Sequence, residues 1–156
     1  MNLSAVKKIV IHCSATVAGR DIGMKEIDSM HRHRNPPFRK IGYHRVIRLN
    51  GVIEYGRTYI EQGAGVRGHN RSTIHICYIG GLDVNRKPAD TRTLQQRQAM
   101  AMVVREALAI FPGAEVLGHR DFSPDLNGDG TIDASERIKE CPCFEVKDWW
   151  RLADAA

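Results

Sequence analysis

Ile9-Val10-Ile11-His12-Cys13-Ser14-Ala15-Thr16 sets a β-branched apolar run directly against a histidine, a thiol and two hydroxyl residues. Residues 6–13 therefore read as a buried strand. A second strand of the same kind covers residues 73–79 and is ended by Gly80-Gly81. A short third strand covers residues 115–117. Between them, residues 24–33 predict a helix with Ile27, Met30 and His31 on its inner face, stopped by Asn35-Pro36-Pro37. Residues 43–49, Asn50-Gly51 and residues 52–55 have the pattern of a hairpin. The long helix starts near Thr93, since Met100, Val103, Val104, Ala107 and Phe111 share one helical face, and Pro112-Gly113 ends it. Residues 146–152 predict a last amphipathic helix. Strands alternating with helices, plus one hairpin, predict a single α/β domain over residues 1–156: a mixed central sheet flanked by helices on both faces.

Composition narrows the class. The chain has 156 residues, 42% hydrophobic and 26% charged, with a formal net charge of +5. That length fits one core, and the charge favours an anionic partner without choosing among nucleic acid, membrane and cell wall. No apolar run reaches the ~20 residues of a membrane span, and the N-terminus lacks the ~7–15-residue apolar stretch of a signal peptide. The four cysteines, Cys13, Cys77, Cys141 and Cys143, are too sparse for a disulfide scaffold, so metal ligation or plain burial accounts for them.

Histidines at strand ends are the first chemical signal. His12 closes the first strand and His119 closes the short one, and crevices at strand ends are where sites gather in open α/β sheets. Cys141 is available as a third soft ligand. Two imidazoles, a thiolate and a water form a catalytic zinc set with an open position. Spacing alone leaves hydrogen-bonded structural histidines as the alternative.

The surrounding motifs go further. Residues 9–16, Gly42-Tyr43-His44 before the hairpin, Asn70 through Gly80-Gly81, Gly118-His119-Arg120-Asp121, Cys141-Pro142 and Trp149-Trp150 stand in a set order. Together they resemble the zinc-dependent N-acetylmuramoyl-L-alanine amidases, a family that includes short phage lysozyme-amidases and animal peptidoglycan recognition proteins. The resemblance spans residues 6–150. It implies that His12, His119 and Cys141 are zinc ligands, that Tyr43 and Lys139 are catalytic helpers beside the metal, and that Asn70 and His69 meet substrate. The implied reaction is hydrolysis of the amide between N-acetylmuramic acid and L-alanine. Cys141 has the better claim over Cys143 because it directly precedes the proline. His44 reads as a packed structural histidine.

The chain also departs from the family. Phage members commonly carry a histidine in the loop before the Asn, where this chain has Gly65, and a small residue where it has His75. The resemblance then leaves one substrate contact open, with His69 or His75 to compensate. His75 shares a strand face with Cys77, which favours a buried structural role.

Residues 125–136 fit D-x-[DN]-x-[DN]-G-x5-E throughout. Asp125, Asn127 and Asp129 offer side-chain oxygens and Thr131 a carbonyl. Asp133 ligates directly or through water, Glu136 closes as a bidentate carboxylate, and Gly130 makes the turn. Ile132 is the residue expected to pin the loop. The pattern resembles the calcium loops of EF-hands and dockerin repeats, although Pro124 and Asp121-Phe122-Ser123 offer no entering helix. It predicts a structural Ca2+ site within an insertion at residues 121–138, between two zinc ligands.

The resulting expectation is a Zn2+- and Ca2+-binding, monomeric peptidoglycan amidase of the phage or prophage endolysin type. It inserts in no membrane and binds no nucleic acid, because Arg32, Arg34, Arg39 and Lys40 come without a nucleic-acid motif. It stays cytoplasmic until lysis or a non-classical export route brings it to the wall. The alternative is a recognition module that binds peptidoglycan without cutting it.

Overall fold

In the computed structural model, which describes residues 3–155, the elements in chain order are β1 (Lys8–Cys13), β2 (Thr16–Val17), α1 (Met24–His33), β3 (Arg45–Ile47), β4 (Ile53–Tyr55), β5 (Thr73–Tyr78), β6 (Gly81–Leu82), α2 (Leu94–Ile110), β7 (Glu115–Gly118) and α3 (Val146–Asp154). Five of the strands form one sheet of order β4-β3-β5-β1-β7, and β2 pairs with β6 separately. β1 runs parallel to both β5 and β7, β3 runs parallel to β5, and β4 returns antiparallel to β3. The mixed sheet and its hairpin are thus as the sequence predicts.

Alternation along the strands decides what each face holds. Ile9, Ile11 and Cys13 of β1, with Ile74, Ile76 and Tyr78 of β5, pack against Met100, Val103, Val104 and Ala107 of α2 and Val146 of α3. On the other face, Val46 of β3 packs with Ile27 of α1, and Val10 of β1 packs with Val66 and Leu117. His12 and His75 fall on this second face by the same alternation. Helices therefore cover both faces, with α2 and α3 on one side and α1 on the other.

Two details position the site. Thr93 and Gln96 form a reciprocal capping box at the start of α2, and the Gln96 amide donates to the carbonyls of Ile47 and Ile79. That pins the helix to the ends of β3 and β5. The hairpin ladder begins only at Arg45, so Tyr43 and His44 precede β3. One expected core residue is not in the core. Met30 is 43% exposed, because α1 rests on Ile27 and presents His31 rather than Met30 beside it.

Candidate metal centre

Three chain segments meet where β1 and β7 end. His12 is the second-last residue of β1, His119 begins a 3-10 turn directly after β7, and Cys141 lies in the segment leading into α3. Their ligand atoms all lie within 4.8 Å of one another, and among the described residues no other group of His, Cys, Asp and Glu converges in this way. His12 Nδ1 stands 3.9 Å from Cys141 Sγ. A tetrahedral zinc with ordinary Zn–N and Zn–S bonds spaces such a pair by ~3.6 Å, so the donor set fits the ion in kind and spacing. Backbone bonds hold Cys141 there. The Cys13 N–H donates to its sulfur at 3.3 Å, and the Arg120 N–H donates to its carbonyl at 2.8 Å. The Tyr78 hydroxyl, under the sheet, donates to the carbonyl of Pro142. Cys143 turns away instead, toward the Gly81 carbonyl and Cys13 Sγ.

Burial sets the protonation states. It holds His12 well below the ordinary imidazole range, helped by the neighbouring His75 and His119 rings. His119 is pushed down to about 4 by burial and by the Lys139 charge. Both rings are therefore neutral at physiological pH, the form that ligates a cation. Burial likewise raises Tyr43 well above 10.0, which keeps its hydroxyl protonated as a donor.

The Tyr43 ring lies between two imidazoles, its centroid 5.1 Å from His12 in a tilted contact and 5.1 Å from His31 edge-on. His31 in turn accepts the Gly42 N–H, so α1 braces the tyrosine from behind. Tyr43, His119 and Lys139 line one cleft of about 940 Å³, with Asn70, Gly65, Arg34 and Arg67 on its other walls. Asn70 Oδ1 accepts the N–H groups of Gly65 and Val66, so this side chain shapes the cleft wall. His69 lies against Phe122 and edges a smaller recess that also touches His119 and Lys139. His31, Arg34 and Arg67 also line the cleft, beyond the residues expected there. The position of His31 one helical turn after Ile27 is the signal that pointed inward.

His44 is fully buried, with Nδ1 accepting the His75 N–H and Nε2 facing the Glu61 carbonyl. Its structural role is as expected.

The acidic loop behaves differently. Asp125 accepts the N–H groups of Gly128 and Gly130, and Asn127, Asp129 and Asp133 each accept the N–H two residues on. Glu136, only 5% exposed, accepts from Leu126, Asn127 and Asp133. Gly130 has φ +85°, in keeping with the expected turn. Ile132 is half-buried. Arg137, at the loop's exit, reaches Glu140 and Glu145.

The sequence profile of the N-acetylmuramoyl-L-alanine amidase family matches residues 2–143. The chain is similar to the endolysin of Klebsiella phage KP32, 33% identical over 143 residues, 92% of this chain and 84% of that one. It is also similar to an uncharacterized protein of Haemophilus influenzae, 43% identical over 101 residues, 65% of this chain and 87% of that one. Among solved structures it matches the N-acetylmuramoyl-L-alanine amidase LysC from Clostridium intestinale with a TM-score of 0.70 at 22% identity, over 98% of this chain and 85% of that chain. At that identity the likeness is one of fold.

Proposed function

We propose, from the premise that this chain belongs to the N-acetylmuramoyl-L-alanine amidase family, that His12, His119 and Cys141 hold its zinc and that Tyr43 and Lys139 act beside it. The chain is an amidase that hydrolyses the bond between N-acetylmuramic acid and L-alanine in bacterial peptidoglycan. The observation that carries the residue assignment is the convergence of two neutral imidazoles and one sulfur within 4.8 Å at the sheet's strand ends. Zinc bound there supplies a polarised carbonyl and a water acidified to a pKa of about 7.

The remaining work falls to the chain. Lys139 lines the cleft beside His119, and its ammonium stabilises negative charge as it develops on the scissile carbonyl oxygen. The protonated Tyr43 hydroxyl, braced by His12 and His31, donates a hydrogen bond at the reacting centre. Water's oxygen ends on the carbonyl carbon as the C–N bond breaks, and its proton passes to the alanine nitrogen, which leaves as a free amine. Asn70 fixes the loop that forms one wall, and His69 edges the recess beyond Lys139. Cys141 favours cutting over recognition alone, because it completes a ligand set that mere binding does not need.

As a second part of this reading, residues 125–136 take up calcium, with Asp125, Asn127, Asp129, Thr131, Asp133 and Glu136 as its ligands. The support is the sequence pattern and the buried Glu136 that closes the loop. Like its endolysin relatives, the chain meets its substrate at the cell wall; among the described residues no helix is long and apolar enough to cross a membrane.

Digestion of purified peptidoglycan, read by mass spectrometry, tests the main reading. Intact glycan and free stem peptides beginning at L-alanine are expected, lost on zinc-selective chelation and restored by zinc. Bound but uncut peptidoglycan would overturn it in favour of a recognition protein.

A further inference from the structure

The loop before Asn70 and the strand β5 exchange bulk in an unexpected way. His75 Nδ1 lies 3.0 Å from His12 Nε2, with both rings buried. The His75 ring fills a cradle between two glycines. A Cβ at Gly65 would stand 2.5 Å from His75 Nδ1 and 2.9 Å from His12 Nε2, while one at Gly63 would stand 2.4 Å from His75 Cδ2. No side chain fits at either position while the imidazole is there. The cradle is itself held, since Asn70 Oδ1 takes the Gly65 N–H and His44 Nδ1 takes the His75 N–H.

The two nitrogens of His12 therefore have different partners. Nδ1 faces the Cys141 sulfur and Nε2 faces His75. A nitrogen that ligates a metal carries no proton, so the His12 proton belongs on Nε2 and is donated to His75 Nδ1. Nδ1 of His75 must then be an acceptor, which places its own proton on Nε2. We infer that His75 is a positioning residue for the metal centre: it locks the ring orientation and tautomer of His12 with Nδ1 toward the ion, and Gly63 and Gly65 are small in order to admit it. This inference rests on the assignment of His12 as a zinc ligand. It also accounts for the pairing of Gly65 with His75: the space a loop side chain would use is occupied from the strand.

Zinc affinity, measured by competition with a chromophoric chelator, separates the possibilities. His75→Ala is expected to weaken zinc binding about 10–100-fold, the usual effect of removing such a partner. His75→Asn keeps an acceptor near the Nδ1 position and is expected to recover most of that loss. Gly65→Ala is expected to weaken zinc binding in the unaltered chain, yet to change it little in the His75→Ala background. In the metal-free, unsubstituted chain, 15N shifts are expected to show His12 protonated at Nε2, a readout that needs no variant. Protonation at Nδ1, or unchanged affinity in folded His75→Ala, would overturn the inference. An unsubstituted chain that binds no zinc would instead overturn the ligand assignment beneath it.

Discussion

Two groups of residues in this chain have the chemistry of metal ligands, and the fold treats them in opposite ways. His12, His119 and Cys141 are far apart in sequence, yet the sheet brings them within 4.8 Å of one another. Residues 125–136 follow a contiguous ligand pattern, yet their carboxylates are occupied with the loop's own N–H groups. The difference lies in what supports each group. The first is fixed by two parallel strands and by backbone bonds to Cys141. The second is a largely exposed excursion whose one buried anchor is Glu136. Preorganisation here comes from the sheet rather than from local spacing.

The sharpest way to break the contrast is to remove a member of the sheet-borne group. Cys141→Ala should reduce amide cleavage to the level seen without enzyme while leaving a cooperative melt. Measurable turnover in a folded Cys141→Ala protein would separate activity from this centre. Lys139→Ala should leave zinc content unchanged and lower kcat about 100-fold, the scale of losing one group that stabilises an oxyanion. A matching loss of zinc would instead make Lys139 a structural support.

Acid tests the buried histidine next to the sheet-borne group through stability. Burial pushes His44 down to about 4 from its ordinary 6.5. Between those values the unfolded chain takes up a proton that folded His44 refuses, so stability falls as pH drops through that window, by up to about 3 kcal/mol. Above the ordinary value this contribution is flat. Urea unfolding of the metal-free protein at a series of pH values checks it, and stability that holds from pH 7 to 4 would refute it.

Calcium gives the smallest effect and tests the loop alone. If the loop takes up the ion, a hundredfold excess over Kd should stabilise the fold by about 2.7 kcal/mol, seen as a rise in Tm. Asp129→Asn, at an exposed position, should reduce that response without lowering Tm in its absence. Glu136→Ala should abolish the response and also lower the baseline, since three N–H groups lose a charged acceptor worth ~1–3 kcal/mol. A melt indifferent to calcium would leave Glu136 as a hydrogen-bonded anchor and nothing more.

Much of the fold was legible because its signals are local. The 9–11 apolar run, the Asn50-Gly51 turn and the Thr93 cap each act over a few residues. Met30 was not, since the roll of α1 depends on partners distant in sequence, and Ile27 rather than Met30 packs with Ile41 and Val46 across the interface. The convergence of His12, His119 and Cys141 was legible through family motifs rather than spacing. The burial of His75 was legible from the strand face it shares with Cys77, but its contact with His12 was not. Its ring and the space over Gly65 belong to segments ten residues apart, and only their packing shows that one fills the other.

Titrating the metal-free protein with zinc, and separately with calcium, while following release of stem peptides tests the central claim most directly. Activity is expected to rise in proportion to zinc, to saturate at one equivalent per chain, and to stay at background with calcium alone. Full activity before any zinc is added, or recovery with calcium in its place, would contradict the assignment of catalysis to His12, His119 and Cys141.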